Sequence, residues 1–565
     1  GFNLSYNYNT SKNVTNGNTR CTDLSNGAAI GYFDQDTRSL SGRSMNGGRF
    51  GIDWQASNRS TLSLSQSFRA NTNDGTDTQD YTTYGAGREL LTTGQQLNAS
   101  KGDNIGLTSQ VLFKHKAPKE GKEWTTDFTY NRNSRTNRSD QDIYTYGAGG
   151  GTTPESPRLQ DNIGGSSSNA FTFQADFVNP IKAGTKFEYG VKSNTRLEDS
   201  HLDVFVTSPV VGNAVKDTSL SNNFQTTDLI NAAYFNWSQK LTDHWSMMGG
   251  FRFESTWFRT DLVDKDQRFS YIYPDGTNDL GKALFPSLFL VRRWDDGVRE
   301  FQVNFSRKIQ RPNHWQIMPF ITISDPRNVR VGNPALAPEM SNLMEMNHLL
   351  PFWKGKATWL TSAFARYTTD VITSYARPLA EDSTVLLNTF INGSTSTSGG
   401  WENVFKVDPI QGLQLTVSGT VQYTDVGLNS AQGGARNQGT NWNGKVMANY
   451  RFLKVWTFQI NGEYESPRIQ AQGRSLSQYG VDASLSHDFT KKLTGGLSVN
   501  DMFYTRRWGN TVETPYIYQD SFRRREMRFV RFTLTWKFGE QNTSLFRKKG
   551  NQQRDPGAGG GDGDF

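Results

Sequence analysis

The stretch FTFQADFVNPIKAGTKFEYGVKSNTRLE, Phe171 to Glu198, decides how the chain is read. Side chains of an extended strand alternate between faces, so Phe171, Phe173, Ala175 and Phe177 share one face and Thr172, Gln174 and Asp176 the other. Past the NPIKAGT break, Phe187, Tyr189 and Val191 repeat the pattern opposite Glu188 and Lys192. The two arms predict an antiparallel hairpin with one apolar face. The same device recurs along the chain. Ile105, Leu107, Val111 and Phe113 precede KAPKEGKE, and Trp124, Phe128 and Tyr130 follow it. Ala233, Phe235 and Trp237 precede KLTDH, and Met247, Phe251 and Phe253 follow it.

Counting arms predicts about twenty strands of roughly ten to thirteen residues, near twice the usual globular length and enough for a tilted membrane crossing. Short breaks (ASNR, KAPKEGK, NPIKAGT, LTDH, WDDGV, FWKGK) alternate with long gaps such as Asn71 to Asp103, Asn133 to Ser166 and Arg311 to Met340, which read as outer loops. Hydrocarbon offers no partner to backbone N–H and C=O groups, so a spanning sheet must close on itself. A barrel of far more than eight strands is too wide for side chains to fill, which leaves its inner face polar and wet. Composition agrees: the 565 residues include 36 Phe, 21 Tyr and 14 Trp, yet the mean hydropathy is −0.66. The expected fold is all-β, a large antiparallel transmembrane β-barrel over residues 1–538 with short periplasmic turns and long extracellular loops. A soluble sandwich or propeller also alternates, but with shorter strands and less asymmetric loops. The last strand, MRFVRFTLTWKF, turns Val530, Phe532, Leu534, Trp536 and Phe538 outward. The Gly-rich tail 539–565 reads as disordered in the periplasm.

No apolar run reaches the roughly 18 residues of a helical span, and no basic-then-apolar signal segment opens the chain, so Gly1 is read as not being a native start. One cysteine, Cys21, excludes an internal disulfide and a multi-thiolate metal site. The net charge of +7 is spread along the chain rather than gathered in a stripe, so no nucleic-acid partner is expected. The six histidines lie far apart, with no HExxH, GxSxG elbow or P-loop. Neither catalysis nor a cofactor is expected.

The segment FSRKIQRPNHWQIMPFITISDPRNVRVGNPALAPE, Phe305 to Glu339, carries a resemblance. It is similar to the signature of the outer-membrane β-barrel family related to TonB-dependent receptors. The matching residues are Arg311 and Pro312, Pro319 and Phe320, Asp325 and Pro326, then Gly332, Asn333, Pro334, Leu336, Pro338 and Glu339. Supported by AAYFNWSQKL, GGFRFE and LFPSLFL, the resemblance spans about Phe171 to Phe538. It implies a bacterial outer-membrane location and a 22-stranded barrel closed by an N-terminal plug, with energy delivered by a TonB-type coupling protein through a short periplasmic box. About twenty strands are visible, so the plug and one initial hairpin are expected upstream of Gly1.

Arg311, Trp315, Asp325, Asn333 and Glu339 of the Pro-rich segment offer donors, acceptors and a stacking surface to an extracellular ligand; the competing reading is a rigid connection that sets loop geometry. NTNDGTDTQD, Asn71 to Asp80, clusters calcium-type ligands in an expected loop, but Gly75 falls at the fifth position where an EF-hand needs the sixth, so no metal site is assigned. Parity places Asp176, Glu188, Lys192, Arg252, Glu254, Lys308, Arg531 and Lys537 on the lumen side, to line a polar path, clamp a plug or pair with one another. In SFRRREMRF, Arg524 and Arg528 face outward near the outer end of the last strand, suited to lipopolysaccharide phosphate or a partner protein. The expected activity is uptake of a nutrient. The alternative is a non-transporting scaffold that carries surface lipoproteins or a larger outer-membrane complex; an open diffusion pore is a third reading.

Overall fold

The computed structural model describes residues 1–25, 27–148, 157–207, 212–275, 280–294, 298–319, 321–325, 328–380, 385–393, 395–428, 434 and 436–537. The expected tail, 539–565, lies outside the described residues. Among the described residues the main sheet has 26 strands, six of them short annexes: Ala214–Lys216, Gln267–Tyr273, Ile469–Gln470, Gly473–Ser475, Trp508–Glu513 and Ile517–Arg525. The other twenty form the wall, each antiparallel to the next. They are β1 (Phe2–Ser25), β2 (Ala28–Gln55), β3 (Ser60–Gly85), β4 (Leu90–Lys116), β5 (Glu123–Gly147), β6 (Arg158–Lys182), β7 (Thr185–Thr207), β8 (Asn222–Lys240), β9 (Trp245–Leu262) and β10 (Leu284–Arg293). The second half comprises β11 (Glu300–Gln310), β12 (Glu339–Phe352), β13 (Ala357–Thr369), β14 (Thr395–Ile410), β15 (Leu413–Gly427), β16 (Arg436–Phe452), β17 (Trp456–Glu465), β18 (Gln478–Asp488), β19 (Leu493–Asn500) and β20 (Phe529–Trp536). No described helix is long and apolar enough to cross a membrane.

The wall is inside-out by the standard of a soluble protein. Its large apolar side chains lie in exposed outward rows, such as Phe128 beside Phe173 and Trp124 beside Phe177 in directly paired positions of β5 and β6. Soluble monomers rarely expose such contiguous patches, whereas a lipid-facing band requires them. The band lies at the end with the short breaks, which is the periplasmic end of an outer-membrane barrel. In register across the sheet, Trp124, Phe177, Tyr189, Phe235 and Phe251 form one aromatic row of its girdle.

Strands β1 to β7 are far longer than the roughly ten to thirteen residues expected: β1 to β4 have 24, 28, 26 and 27. At about 3.3 Å per residue they continue well past a hydrocarbon core of about 25 to 30 Å. Asn71–Asp80 therefore lies inside β3 rather than in a loop, and its Asp74 and Asp80 face away from Asp77. Likewise Asn133–Ser166 is mostly β5 and β6. These extensions hide from sequence reading because water lies on both of their faces, so the apolar alternation stops while the backbone ladder continues. Polar cross-strand contacts join it, with Gln35 Nε2 donating to Gln79 Oε1 at 2.6 Å and Thr72 Oγ1 to Asp103 Oδ1 at 2.8 Å.

The ring closes through only part of its height. The annex Ile517–Arg525 pairs with β1 from Asp23 down to Thr15, and the Glu526 N–H donates to Val14 O at 2.6 Å. Below that rung, among the described residues, no pairing joins β1 to β20. Phe2–Lys12 and all of β20 are exposed on both faces, as edges are.

Candidate functional site

The extracellular mouth is where loops meet the inner wall. The long gap from Arg311 to Met340 and the excursion between β13 and β14 together build a second, four-stranded sheet, ordered Thr322–Asp325, Asn328–Arg330, Leu386–Asn392, Ile372–Pro378. Its apolar residues dock on three separate sectors of the barrel. Ala376 and Leu386 pack with Cys21, Phe33 and Tyr81 on β1, β2 and β3 and with Ile517. Ile372 and Phe390 pack with Phe258 on β9, together with Ile317 and Leu336 of the Pro-rich segment. Val371, Tyr375 and Ile391 pack with Val426 on β15, Leu428 and Ala471. A small sheet anchored on three sides of the mouth is a lid carried by the wall.

Hydrogen bonds fix the lid's connections. Asn392 Nδ2 donates to Ala337 O at 2.9 Å and to Asp370 O at 2.8 Å, and its Oδ1 accepts the Ala337 N–H at 2.8 Å. Gln472 clamps the backbone of Ala376, accepting its N–H at 2.7 Å and donating to its O at 3.2 Å. Gly332 passes so close to the chain just past the short helix His314–Ile317 that a Cβ would sit 2.2 Å from Met318 O, which explains a glycine before Asn333.

The five residues proposed from sequence as ligand contacts gather here, but most are occupied by the fold. Arg311 Nη2 donates to Glu254 Oε2 at 2.6 Å and to Thr256 Oγ1 at 2.7 Å, tying the end of β11 to the inner face of β9. Asn333 Nδ2 donates to Phe390 O at 2.9 Å, and Glu339 Oε1 accepts the Ile372 N–H at 2.5 Å. Trp315 stands edge-on to Phe390, 4.8 Å between ring centres, and is largely exposed. Asp325 ends the strand Thr322–Asp325; the position of its side chain lies outside the described residues.

Beneath the lid the inner wall carries charge in short pairs. Register puts Asp176, Glu188, Lys192, Arg252 and Glu254 on the face opposite the aromatic rows. Asp176 accepts from the Tyr234 hydroxyl at 2.6 Å, Glu188 pairs with Lys186 at 2.7 Å, and Glu254 bridges Arg252 and Arg311. Lys308 stands opposite Ser341, the Arg531 guanidinium lies 5.1 Å from the Phe529 ring centre, and the Lys537 N–H caps Lys492 O. Sequence reading missed Arg196 and Asp228, 3.9 Å apart in directly opposed positions of β7 and β8, with one Asp228 oxygen unpartnered among the described residues. Only the register across two hairpins could have brought them together.

On the outside, Arg524 and Arg528 both stack on Tyr504, at 4.9 and 5.1 Å from its ring centre. The Tyr504 hydroxyl is held above its ordinary pKa, first by desolvation and then by the Glu526 carboxylate.

No curated protein matches the chain. Solved structures share its architecture. The siderophore receptor PiuA from Acinetobacter baumannii aligns with TM-score 0.51 and 9% identity over 91% of this chain and 81% of that one. The ferric citrate transporter FecA in its unliganded form aligns with TM-score 0.50 and 10% identity over 91% and 78%. Likeness at such identity speaks to fold alone. The model of the outer membrane protein beta-barrel family matches residues 115–536, most of the wall and the whole mouth sheet, and the chain is a member of that family.

Proposed function

We propose that this barrel is an outer-membrane receptor that admits a polar nutrient too large or too dilute for passive pores. The reading rests on the mouth: a three-point lid over a lumen lined with paired charges suits capture and controlled entry better than free diffusion. The exposed Trp315 ring and the half-satisfied Asp228 carboxylate are the groups at the mouth best able to meet a solute. A plug and a TonB-type coupling protein would supply closure and energy, as the family resemblance implies.

The test is uptake of a radiolabelled panel of ferric siderophores, oligosaccharides and short peptides by cells with and without the intact gene. Loss of uptake of one class on deletion, restored by the wild-type chain and not by Asp228→Asn with Trp315→Ala, supports the reading. Unchanged uptake throughout, together with stoichiometric surface lipoproteins in material purified from native membranes, overturns it in favour of a scaffold.

A further inference from the structure

The lipid-facing side of β5 to β8 carries a hollow of about 490 Å³ just above the periplasmic turns. Its floor is a row of small side chains in register, Ala175 opposite Val191 and Val191 opposite Ala233. Its lower rim is the aromatic row Trp124, Phe177 and Tyr189, one step nearer the periplasm. Phe128 and Phe173 stand one step further from the periplasm, above the residues that line the hollow. The result is a trench running across four strands.

Beyond its periplasmic rim the surface is cationic. Lys122 Nζ lies over the Phe177 ring, 5.6 Å from the centre, and Lys119 Nζ donates to Ile181 O at 3.1 Å, which joins the two neighbouring turns. The acids around them are already used, with Glu123 paired to Lys114, Glu188 to Lys186 and Asp243 to Lys240. That leaves Lys116, Lys119, Lys122 and Lys182 against Glu120 in these turns, without ion pairs among the described residues. Basic groups at the headgroup level above an apolar trench match a molecule with a phosphate at one end and an acyl chain at the other.

We propose that this trench is a binding site for an anionic glycerophospholipid of the periplasmic leaflet, with one acyl chain along Ala175, Val191 and Ala233 and the phosphate against Lys122 and Lys119. The site is separate from the mouth, so it stands or falls independently of the uptake reading. The lipid seals a thin stretch of wall and holds two turns together.

Native mass spectrometry of the whole chain in detergent, titrated with phosphatidylglycerol or phosphatidylcholine of the same chain length, tests it. One phosphatidylglycerol should survive detergent exchange. Lys119→Glu with Lys122→Glu should weaken its retention by at least about thirtyfold, as expected for the loss of two headgroup lysines. Ala233→Phe, which fills the trench and leaves the charge intact, should weaken it too. Lys101→Glu, midway along β4 and well above the trench, should not. Heat-modifiable migration on gels verifies that each variant is folded. Equal retention of phosphatidylcholine, or undiminished phosphatidylglycerol on both trench variants, overturns the proposal.

Discussion

At the scale of single residues, the wall depends on close approaches that larger side chains would break. A Cβ at Gly94 on β4 would sit 2.1 Å from Cζ of Tyr81 on β3, so the ring lies across the glycine. From there the Tyr81 hydroxyl reaches Tyr144 O at 3.2 Å and Thr145 Oγ1 at 3.0 Å on the far side of β4. Gly94→Ala should therefore push the ring off both bonds and cost about 1–3 kcal/mol in denaturant unfolding in micelles. In a Tyr81→Ala background the same substitution should cost little, because the steric partner is gone; equal costs in both backgrounds would show that the ring is not the obstacle. Arg311 presents the opposite case, an attachment rather than a clearance. Its loss leaves Glu254 with Arg252 alone on a nearly buried carboxylate, so Arg311→Ala should destabilise by about 3 kcal/mol. Arg311→Ala with Glu254→Gln should recover much of that, measured by thermal scans of the detergent-solubilised chain.

At the scale of elements, legibility in the sequence follows the solvent. Where one face of a strand meets lipid and the other water, as in Phe171–Phe177 or Val530–Trp536, residue type alternates and the strand can be read directly. Above the band both faces meet water, so Asn71–Asp80 looked like a loop although it is part of β3. The mouth sheet was illegible for another reason. Its strands are three to seven residues long, and their apolar positions make sense only against Phe33, Phe258 and Val426, which are distant in sequence. The Pro-rich segment was recognisable, but its partners were not: Arg311 could be named, Glu254 and Thr256 as its acceptors could not. The Gln472 clamp attaches the lid through two bonds from one side chain to one residue. Removing it strands buried backbone groups at about 1–3 kcal/mol, a rise in local opening of about fivefold to 150-fold. Gln472→Ala should speed hydrogen exchange across Ile372–Pro378 while the amides of β14 and β15 keep their protection. Unchanged exchange in the hairpin would mean that packing alone holds the lid.

At the scale of the whole molecule, the seam between β1 and β20 is the feature that membrane physics resists most strongly. Each unpaired backbone group in hydrocarbon costs several kcal/mol, and two bare edges together cost tens, more than the roughly 5–15 kcal/mol of net stability a folded domain has. The edges are therefore either occupied or zipped together in the bilayer. Parity constrains an occupant: β1 runs outward and β20 inward, so an all-antiparallel insert must contain an even number of strands, and two would bring the twenty to the 22 of the family resemblance. Cysteine pairs distinguish the cases, since a disulfide needs Cα atoms within about 7 Å. In a Cys21→Ser background, Thr15→Cys with Arg525→Cys lies on paired residues and should oxidise readily. Extending the same register downward sets Tyr8 level with Phe532, and Tyr8→Cys with Phe532→Cys should stay reduced in the membrane-inserted protein, as judged by mass spectrometry of linked peptides. Equal oxidation of the lower pair would mean that the two edges meet directly, closing a cylinder of twenty strands with no room for an insert.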